Sequence, residues 1–386
     1  MSMLSRINKK NGIKYLKFIL NKKKSNILIM SSSGYKNIGN EAIIKVIIDH
    51  IKKINPQAKL VMNSYNPQYS YNLHKIKTCK RVGLGLFITL LRSNYVIIAG
   101  DELINIQFSE WLQNKSIFYR LTHIFEAKLR IFTALLAKIL NKKIIFYAVG
   151  ISSIPNTFMK FLTYIVFNIS DFVSVRNNES KEILEGIGVK KNILIINDPS
   201  FYLKPINKVK AKKYLSKEGI DINKFLVGLS LRSLGDKKLN SDLIKSLSKT
   251  MNFLLKQKNT EIICFIFSKH PYNPLENDTA ITQELKKHIK NNTSFKIINH
   301  NYAPDEVKGM VGSMDYFIGM RLHSVIFASS MKVPFVCIPY NIKHKLILKQ
   351  FNQENKLIEL HKLNKLENRI LKEIKLLKED NDIFYS

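Results

Sequence analysis

Two side chains that handle anions and protons, Arg321 and His323, lie two residues apart in the last quarter of the 386-residue sequence. They follow a short apolar run, Tyr316–Ile318, and the turn residue Gly319, and they precede a small, apolar, helix-like run. In parallel α/β sheets, ligands bind outside the carboxyl ends of the strands. An arginine there can hold phosphate or carboxylate, and a histidine can transfer protons. This stretch, with the adjacent Ser324 as a substrate-binding candidate, is the first candidate catalytic site.

The same residues also have a purely structural explanation. Arg321 could pair with a nearby carboxylate such as Asp315, and His323 could cap the following helix. Asp278, at the start of another predicted helix, is most simply a helix N-terminal residue. The rest of the chain has to decide between the two explanations.

Two further arginines follow strand-like runs, and both are candidates for binding an anionic substrate. Arg176 follows Asp171–Val175, and Arg232 follows Leu226–Leu231. The planar guanidinium group matches phosphate and carboxylate geometry, although a structural ion pair is the alternative for each. His270 follows a third such run and is a weaker candidate for proton transfer, or else a polar loop residue.

The loop after the first predicted strand, Asn26–Met30, contains two glycines and leads into a predicted amphipathic helix at 42–54. Its spacing is not that of a dinucleotide-binding motif. Its backbone N–H groups could still bind an anion at the helix N-terminus, or the glycines could only shape a turn. After the third buried strand, Tyr95–Ala99, Asp101 could accept protons from sugar hydroxyls or cap the next segment. The substrate-binding candidates of the first loop are Gly34, Asn37, Gly39, Asn40 and Glu41.

The formal net charge of +33 suggests a polyanion, an anionic membrane surface or an acidic substrate as partner. Lysines occur in nearly every segment, however, so an AT-rich coding sequence is the alternative explanation. No nucleic-acid-binding motif is present, and no nucleic acid partner is expected. The runs 112–140 and 158–169 alternate between apolar and basic residues, which indicates interior helices or contact with a membrane surface.

The remaining composition favours a globular cytoplasmic protein. No apolar run is long enough to cross a bilayer, and residues 1–24 lack a signal-peptide cleavage site. The three cysteines are scattered, two of them in apolar strand-like runs that predict buried thiols. No metal-ligand spacing is present, so no metal is expected.

Alternating strand-like and helix-like segments predict an α/β fold with two Rossmann-like domains facing across a cleft, a GT-B-like arrangement. The polar, lysine-rich segment 204–213 marks the predicted domain boundary. We expect an N-terminal domain at 1–205, on the acceptor side, and a C-terminal domain at 206–352, on the donor side. A helical tail at 353–386 is expected to pack back on the first domain.

Five segments in the same order resemble the polysaccharide pyruvyl transferase family, between about residues 26 and 342. The last of them is the most specific. Two departures occur: Asn40 stands where the family usually has Asp, and Asp101 stands where it often has Gly. The five segments are Gly34–Ala42, Ser174–Ser180, Asn197–Phe201, Gly228–Arg232 and Gly319–His323.

The resemblance implies a transferase that places pyruvate, as a ketal, on a hexose of a surface polysaccharide or its lipid-linked precursor. The donor would be phosphoenolpyruvate, with no other cofactor. His323 would be the general acid or base, and Arg321, Arg176 and Arg232 would hold the donor. The protein would act at the inner face of the cell membrane, and a homo-oligomer is left open. The alternatives are a GT-B glycosyltransferase that uses a nucleotide sugar, and an inactive member that binds glycan or membrane.

Overall fold

The computed structural model describes residues 16–17, 20, 24–100, 102–104, 129–151, 154, 156–257, 259–298 and 300–374. The chain divides into two compact units. The first comprises Met1–Gly34 and Asn40–Pro199, and the second comprises Tyr35–Gly39 and Ser200–Ser386. The predicted boundary follows residue 205, whereas the division falls after Pro199. Asp101 lies outside the described residues.

The first unit contains a sheet in which every pair of neighbouring strands is parallel, in the order β3-β2-β1-β4-β6-β7-β8, with β5 paired to β6. The strand order therefore reverses between β1 and β4, a position where open α/β sheets bind ligands. The strands are β1 Asn26–Met30, β2 Lys59–Ser64, β3 Lys77–Lys80, β4 Tyr95–Ala99, β5 Glu102–Ile104, β6 Lys143–Ile151, β7 Phe172–Val175 and β8 Ile193–Ile195.

Both faces of the first sheet are covered, which explains why its central strands are continuous apolar runs. Alternate residues of β1 divide between two core clusters: Leu28 and Met30 belong to one, and Ile27 and Ile29 to the other. The helix Ile38–Ile54 packs in the second cluster. The first cluster receives the inner faces of helices Leu84–Arg92, 129–139, Thr157–Ile169 and Asn178–Gly186.

The second unit contains a smaller parallel sheet in the order β11-β10-β9-β12-β13. Its order reverses between β9 and β12, as in a Rossmann-like unit. The strands are β9 Phe225–Ser230, β10 Thr260–Phe265, β11 Phe295–Ile298, β12 Tyr316–Gly319 and β13 Phe335–Cys337. The remaining α-helices with defined bounds are Pro67–His74, Lys208–Lys217, Lys237–Lys256, Thr279–Lys287, Pro304–Val311, Leu322–Ser330 and Ile342–Gln350.

The described part of the C-terminal tail packs on the second unit. After a 3-10 helix, Leu360–Lys365, a helix follows at 366–374. Its residues Leu366, Ile370 and Ile374 lie in the same core cluster as β9 and the Lys237–Lys256 helix. The tail was expected to pack on the first domain, but these apolar side chains are instead buried in the second.

The structure also bears on the expectations for the lysine-rich segment and for the cysteines. The lysine-rich segment 204–213, which marks the predicted domain boundary, includes the start of the helix Lys208–Lys217, and this helix buries Ala211 and Leu215. Cys264 and Cys337 are buried thiols, as predicted. Over the part of the chain that the structure describes, no helix is both long and apolar enough to cross a bilayer.

Candidate functional site

The Arg321–His323 stretch lies where the strand order of the second sheet reverses. Gly319, the last residue of β12, is in register with Ser230, the last residue of β9. The chain then turns at Met320 and enters the helix Leu322–Ser330, whose N-cap is Arg321. Apart from Phe225 at the start of β9, the apolar residues of both strands are buried, so the first residues beyond them are held at the edge of a rigid core.

Arg321 is a buried side chain that is held by two carboxylates. Its Nε and Nη2 donate to Oδ1 of Asp278, at 2.9 and 2.5 Å, and its Nη1 donates to Oε2 of Glu276, at 2.6 Å. Asp315, the partner suggested by the sequence, instead accepts from the backbone N–H of Leu226. Arg321 is only 5% exposed, so its guanidinium group is enclosed together with these two carboxylates.

Asp278 precedes the helix Thr279–Lys287 but does not cap it through its side chain. Its carboxylate binds Arg321 and accepts from the backbone N–H of Ser268 at 2.9 Å. Burial raises the pKa of Asp278 to about 6, against the lowering effect of Arg321. Burial alone would lower the pKa of Arg321, but Asp278 and Glu276 raise it well above its usual value. The guanidinium group therefore stays charged.

Arg232 is the more accessible arginine of this cluster. Its Nη2 donates to Oε1 of Glu276 at 2.6 Å, and its guanidinium carbon lies 4.1 Å from the ring centroid of Tyr340. Burial would raise the pKa of Glu276, but Arg321 and then Arg232 lower it below its usual value. One carboxylate thus joins two arginines, and the stacked, partly exposed Arg232 can also meet an anionic ligand.

A buried histidine and two serines fix the backbone at the start of the motif. Nε2 of His344 lies 2.8 Å from the carbonyl oxygen of Met320. Oγ of Ser324 donates to the carbonyl oxygen of Arg321 at 2.6 Å and lies 2.5 Å from Oγ of Ser230. Ser324 is fully buried, so it shapes the turn. Burial lowers the pKa of His344 to about 4, which makes it neutral at physiological pH.

His323 is half-buried at the start of its helix, and the segment Tyr35–Gly39 lies against it. A β-carbon added at Gly39 would lie 1.9 Å from Nδ1 of His323. The glycine therefore lets the imidazole lie directly on the backbone. Arg321 and His323 are two residues apart and have different surroundings. Arg321 points into a buried ion pair, whereas His323 lies at the partly exposed edge.

Backbone pairing holds the Tyr35–Gly39 segment beside the end of β10. Asn37 forms an antiparallel bridge with Ser268, and the N–H of Ile38 donates to the carbonyl of Phe267. The ring of Tyr35 stacks on His270, with centroids 4.6 Å apart. His270 is therefore fixed by an aromatic contact, and Asn37, which accepts from the N–H of Gly39, lies in the same segment.

Glu41 and Gly34 form a separate, buried cluster in the first unit. The carboxylate of Glu41 accepts from the N–H of Gly34 at 2.8 Å and from Oγ of Ser33, and it lies 2.7 Å from Nε2 of His74. Gly34 has a φ of +93°. Glu41 is fully buried, so it stabilises this turn. Asn40 donates from its side chain to the carbonyl of Ser32 at 3.4 Å.

Arg176 lies at the end of β7, also in the first unit. Its guanidinium group lies over the backbone of Gly150, and its Nη1 is 3.3 Å from Oδ2 of Asp198. The side chain is 13% exposed. The ion-pair alternative from the sequence is therefore observed, and the two residues of this pair come from two segments that carry the family resemblance.

The structure brings Arg232, Arg321, His323, Ser324, His270, Asn37 and Gly39 into one region of the second unit. Sequence reasoning missed Glu276, Tyr340, His344 and Ser230 as members of this region. Glu276 lies between β10 and the next α-helix, and Tyr340 lies between β13 and the next α-helix. Location in a segment that follows a buried strand was the sequence signal that could have identified them. Over the described residues, no group of three or more histidine, cysteine, aspartate or glutamate side chains could hold a metal ion.

Comparison with solved structures shows the same fold at low sequence identity. UDP-GlcNAc 2-epimerase from Methanocaldococcus jannaschii has a TM-score of 0.53 and 13% identity, covering 90% of this chain and 91% of that one. The same enzyme from Neisseria meningitidis has a TM-score of 0.51 and 11% identity, covering 92% and 100%. The Escherichia coli ADP-heptose LPS heptosyltransferase II has a TM-score of 0.50 and 9% identity, covering 92% and 99%. The predicted α/β class with Rossmann-like units is confirmed.

Comparison with curated protein sequences gives no match. A model of one protein family does match, and it spans residues 37–342, which is more than half of the chain. This range begins within the Tyr35–Gly39 segment and includes Arg232, His270, Arg321 and His323. Tyr35 and His344 lie outside it. The chain belongs to the polysaccharide pyruvyl transferase family.

Proposed function

We propose that the protein transfers pyruvate from phosphoenolpyruvate to a hexose of a surface polysaccharide or its lipid-linked precursor, forming a ketal. The observation that carries the proposal is the position of the family-matched Arg321–His323 stretch at the point where the strand order of its sheet reverses. The imidazole of His323 is half-buried there and is held against the backbone of Gly39. A positioned imidazole at a ligand-binding edge suits proton transfer.

The reaction needs proton transfers in both directions. A proton added to the methylene carbon of phosphoenolpyruvate makes a methyl group and leaves positive charge on the adjacent carbon. One sugar hydroxyl adds to this carbon, phosphate leaves with the C–O electron pair, and a second hydroxyl completes the ketal. The two hydroxyls lose two protons: one balances the proton added to carbon, and the other leaves with phosphate. His323 is the group proposed to donate and accept these protons.

The donor carries phosphate and carboxylate charges, so its site needs cations. Arg232 supplies a stacked, partly exposed guanidinium group. Lys36 and Lys269 add charge nearby, since the N–H of Lys269 donates to the carbonyl of Lys36. Burial and then the positive charge of Lys36 lower the pKa of Lys269, and the negative charge of Glu218 only partly opposes this. We assign Arg232 to donor binding and Arg321 to positioning Glu276.

The test incubates purified protein with phosphoenolpyruvate and a panel of hexose glycosides, some with one hydroxyl of each pair methylated. We expect phosphate release only with acceptors that have a free pair of hydroxyls, and a matching mass gain of one pyruvate ketal on the sugar. His323→Gln should slow turnover roughly 100-fold or more, the range for loss of a general acid or base. His288→Gln, at a half-exposed histidine, is the matched control.

Two results would contradict the proposal. One is the absence of phosphate release with every acceptor while a nucleotide sugar is turned over, which would favour a glycosyltransferase. The other is full activity of His323→Gln, which would remove the proposed proton donor. The nucleotide-sugar enzymes named above share the fold alone and do not favour either reaction.

A further inference from the structure

The helix Leu84–Arg92 is apolar on two opposite faces. Leu86 and Leu90 are buried in the core of the first unit. Leu84, Phe87, Ile88 and Leu91 point outward and are 73%, 44%, 37% and 43% exposed. Their spacing of three, four and seven residues places them in one stripe along the helix. A continuous exposed apolar stripe marks an interaction surface.

Two other helices extend this stripe into a surface. The helix 129–139 exposes Phe132 and Ile139, and the helix Thr157–Ile169 exposes Phe158 and Phe161. The buried sides of all three helices join one core cluster, so they cover the same face of the first sheet. We call the outward side of these three helices the apolar face.

Exposed apolar residues elsewhere are arranged differently. In the described part of the second unit, the exposed large apolar side chains are Val209, Leu239, Phe253, Tyr272 and Ile342. They do not recur at helical spacing, and single exposed apolar residues of this kind are normal on soluble proteins. The concentration on one face of the first unit is therefore a specific feature.

The charge of the apolar face identifies its partner. Every charged residue in the three helices is basic: Arg92, Arg130, Lys138 and Lys160. Three of these are exposed, and only Arg130 is buried. Lys142 also reaches this region, because its Nζ donates to the carbonyl oxygen of Leu91 at 2.7 Å. Lys138 lies 3.9 Å from a carboxylate oxygen of Asp171, which follows the third helix, so the surround is predominantly basic. Apolar side chains with a predominantly basic surround match a bilayer with anionic head groups.

We infer that the apolar face docks the protein on an anionic lipid bilayer, with Leu84, Phe87, Leu91 and Phe161 inserted among the acyl chains. Basic side chains at the rim contact the head groups. The docking itself does not depend on the proposed reaction. Its use, to bring the protein to a lipid-linked acceptor, rests on the proposed function.

The test measures co-sedimentation of the full chain with vesicles. We expect binding to phosphatidylcholine vesicles that contain phosphatidylglycerol, weaker binding to pure phosphatidylcholine, and weakening with added salt. Phe87→Ser with Leu91→Ser should lower the affinity roughly tenfold or more, since each side chain would lose apolar burial. Val209→Ser with Leu239→Ser, in the second unit, should bind as the unchanged protein does.

Three outcomes would overturn the inference. These are no binding to anionic vesicles, equal loss in both double variants, and a dimer in sedimentation analysis that only Phe87→Ser with Leu91→Ser disrupts. The last result would make the face an interface between two copies. Phosphate release with a water-soluble glycoside should be unaffected by the apolar-face variant, so failure of docking is distinguishable from failure of the proposed reaction.

Discussion

Gly39 determines how closely the imidazole of His323 can approach the backbone. A methyl group at this position would overlap the ring, with its carbon 1.9 Å from Nδ1. Either the imidazole or the Tyr35–Gly39 segment would have to move. Because catalysis is sensitive to displacements of about 1 Å, the position of this ring is expected to control turnover.

We therefore predict that Gly39→Ala lowers kcat roughly tenfold or more, with a smaller change in the KM for phosphoenolpyruvate. Steady-state phosphate release checks this. Gly186→Ala is the matched control, because a β-carbon there would meet no atom within 4 Å. Unchanged kcat in Gly39→Ala would mean that the imidazole position does not limit the reaction.

Burial explains a second residue-level property, the titration of His344. Its pKa falls to about 4 in the folded protein, whereas the unfolded value is near 6.5. Between these values the unfolded chain binds a proton that the folded chain does not. The stabilisation from neutral His344 is thus complete above about pH 6.5 and is lost as the pH falls toward 4.

We predict that His344→Gln removes this pH dependence. The difference in free energy of unfolding between the unchanged protein and the variant should shrink by up to about 3 kcal/mol from about pH 7 to pH 4. Urea unfolding at several pH values checks this. Asp278 titrates in both proteins, so its contribution to the difference in free energy of unfolding cancels. A difference for His344→Gln that stays constant with pH would show that burial does not perturb the pKa of this group.

At the level of elements, the C-terminal helix at 366–374 completes the core of the second unit. Ile370 is fully buried there beside the Lys237–Lys256 helix. Ile370→Ala should lower the free energy of unfolding by about 2–5 kcal/mol, the usual cost of such a cavity. Thermal unfolding checks this, with the exposed Ile342→Ala as control. Equal melting temperatures would mean that the tail helix contributes no stability.

The sequence predicts the central strands well, because buried parallel strands are continuous apolar runs. Strand β3, Lys77–Lys80, is missed since its sequence Lys-Thr-Cys-Lys has no such run. The helix Lys208–Lys217 is missed because its few buried side chains are separated by lysines. Local pattern is thus sufficient for buried elements and insufficient for edge elements.

The candidate site is predictable only in part. Arg321 and His323 are found because they follow a recognisable strand. The pairing of Arg321 with Asp278 joins residues 43 positions apart, and local spacing carries no signal for it. The same holds for the contact of Gly39 with His323, which joins opposite ends of the chain.

At the level of the whole molecule, charge and fold have separate causes. The net charge of +33 does not shape the central strands of either sheet, since those strands are apolar. It concerns partners, and the proposed partners are all anionic: phosphoenolpyruvate, a bilayer surface and a lipid-linked acceptor. Two parts of this charge have a proposed role: the basic residues around the apolar face, and the cations of the candidate site, Arg232, Lys36 and Lys269.

The membership of Tyr35–Gly39 in the second unit also has a consequence for inheritance and engineering. A recombinant gene that joined residues 1–199 of this chain to the second half of a relative would combine a native segment with a foreign histidine. Exchange of the two halves would therefore separate residues that must vary together. Successful chimeras should carry both the Tyr35–Gly39 codons and the His323 region from one parent.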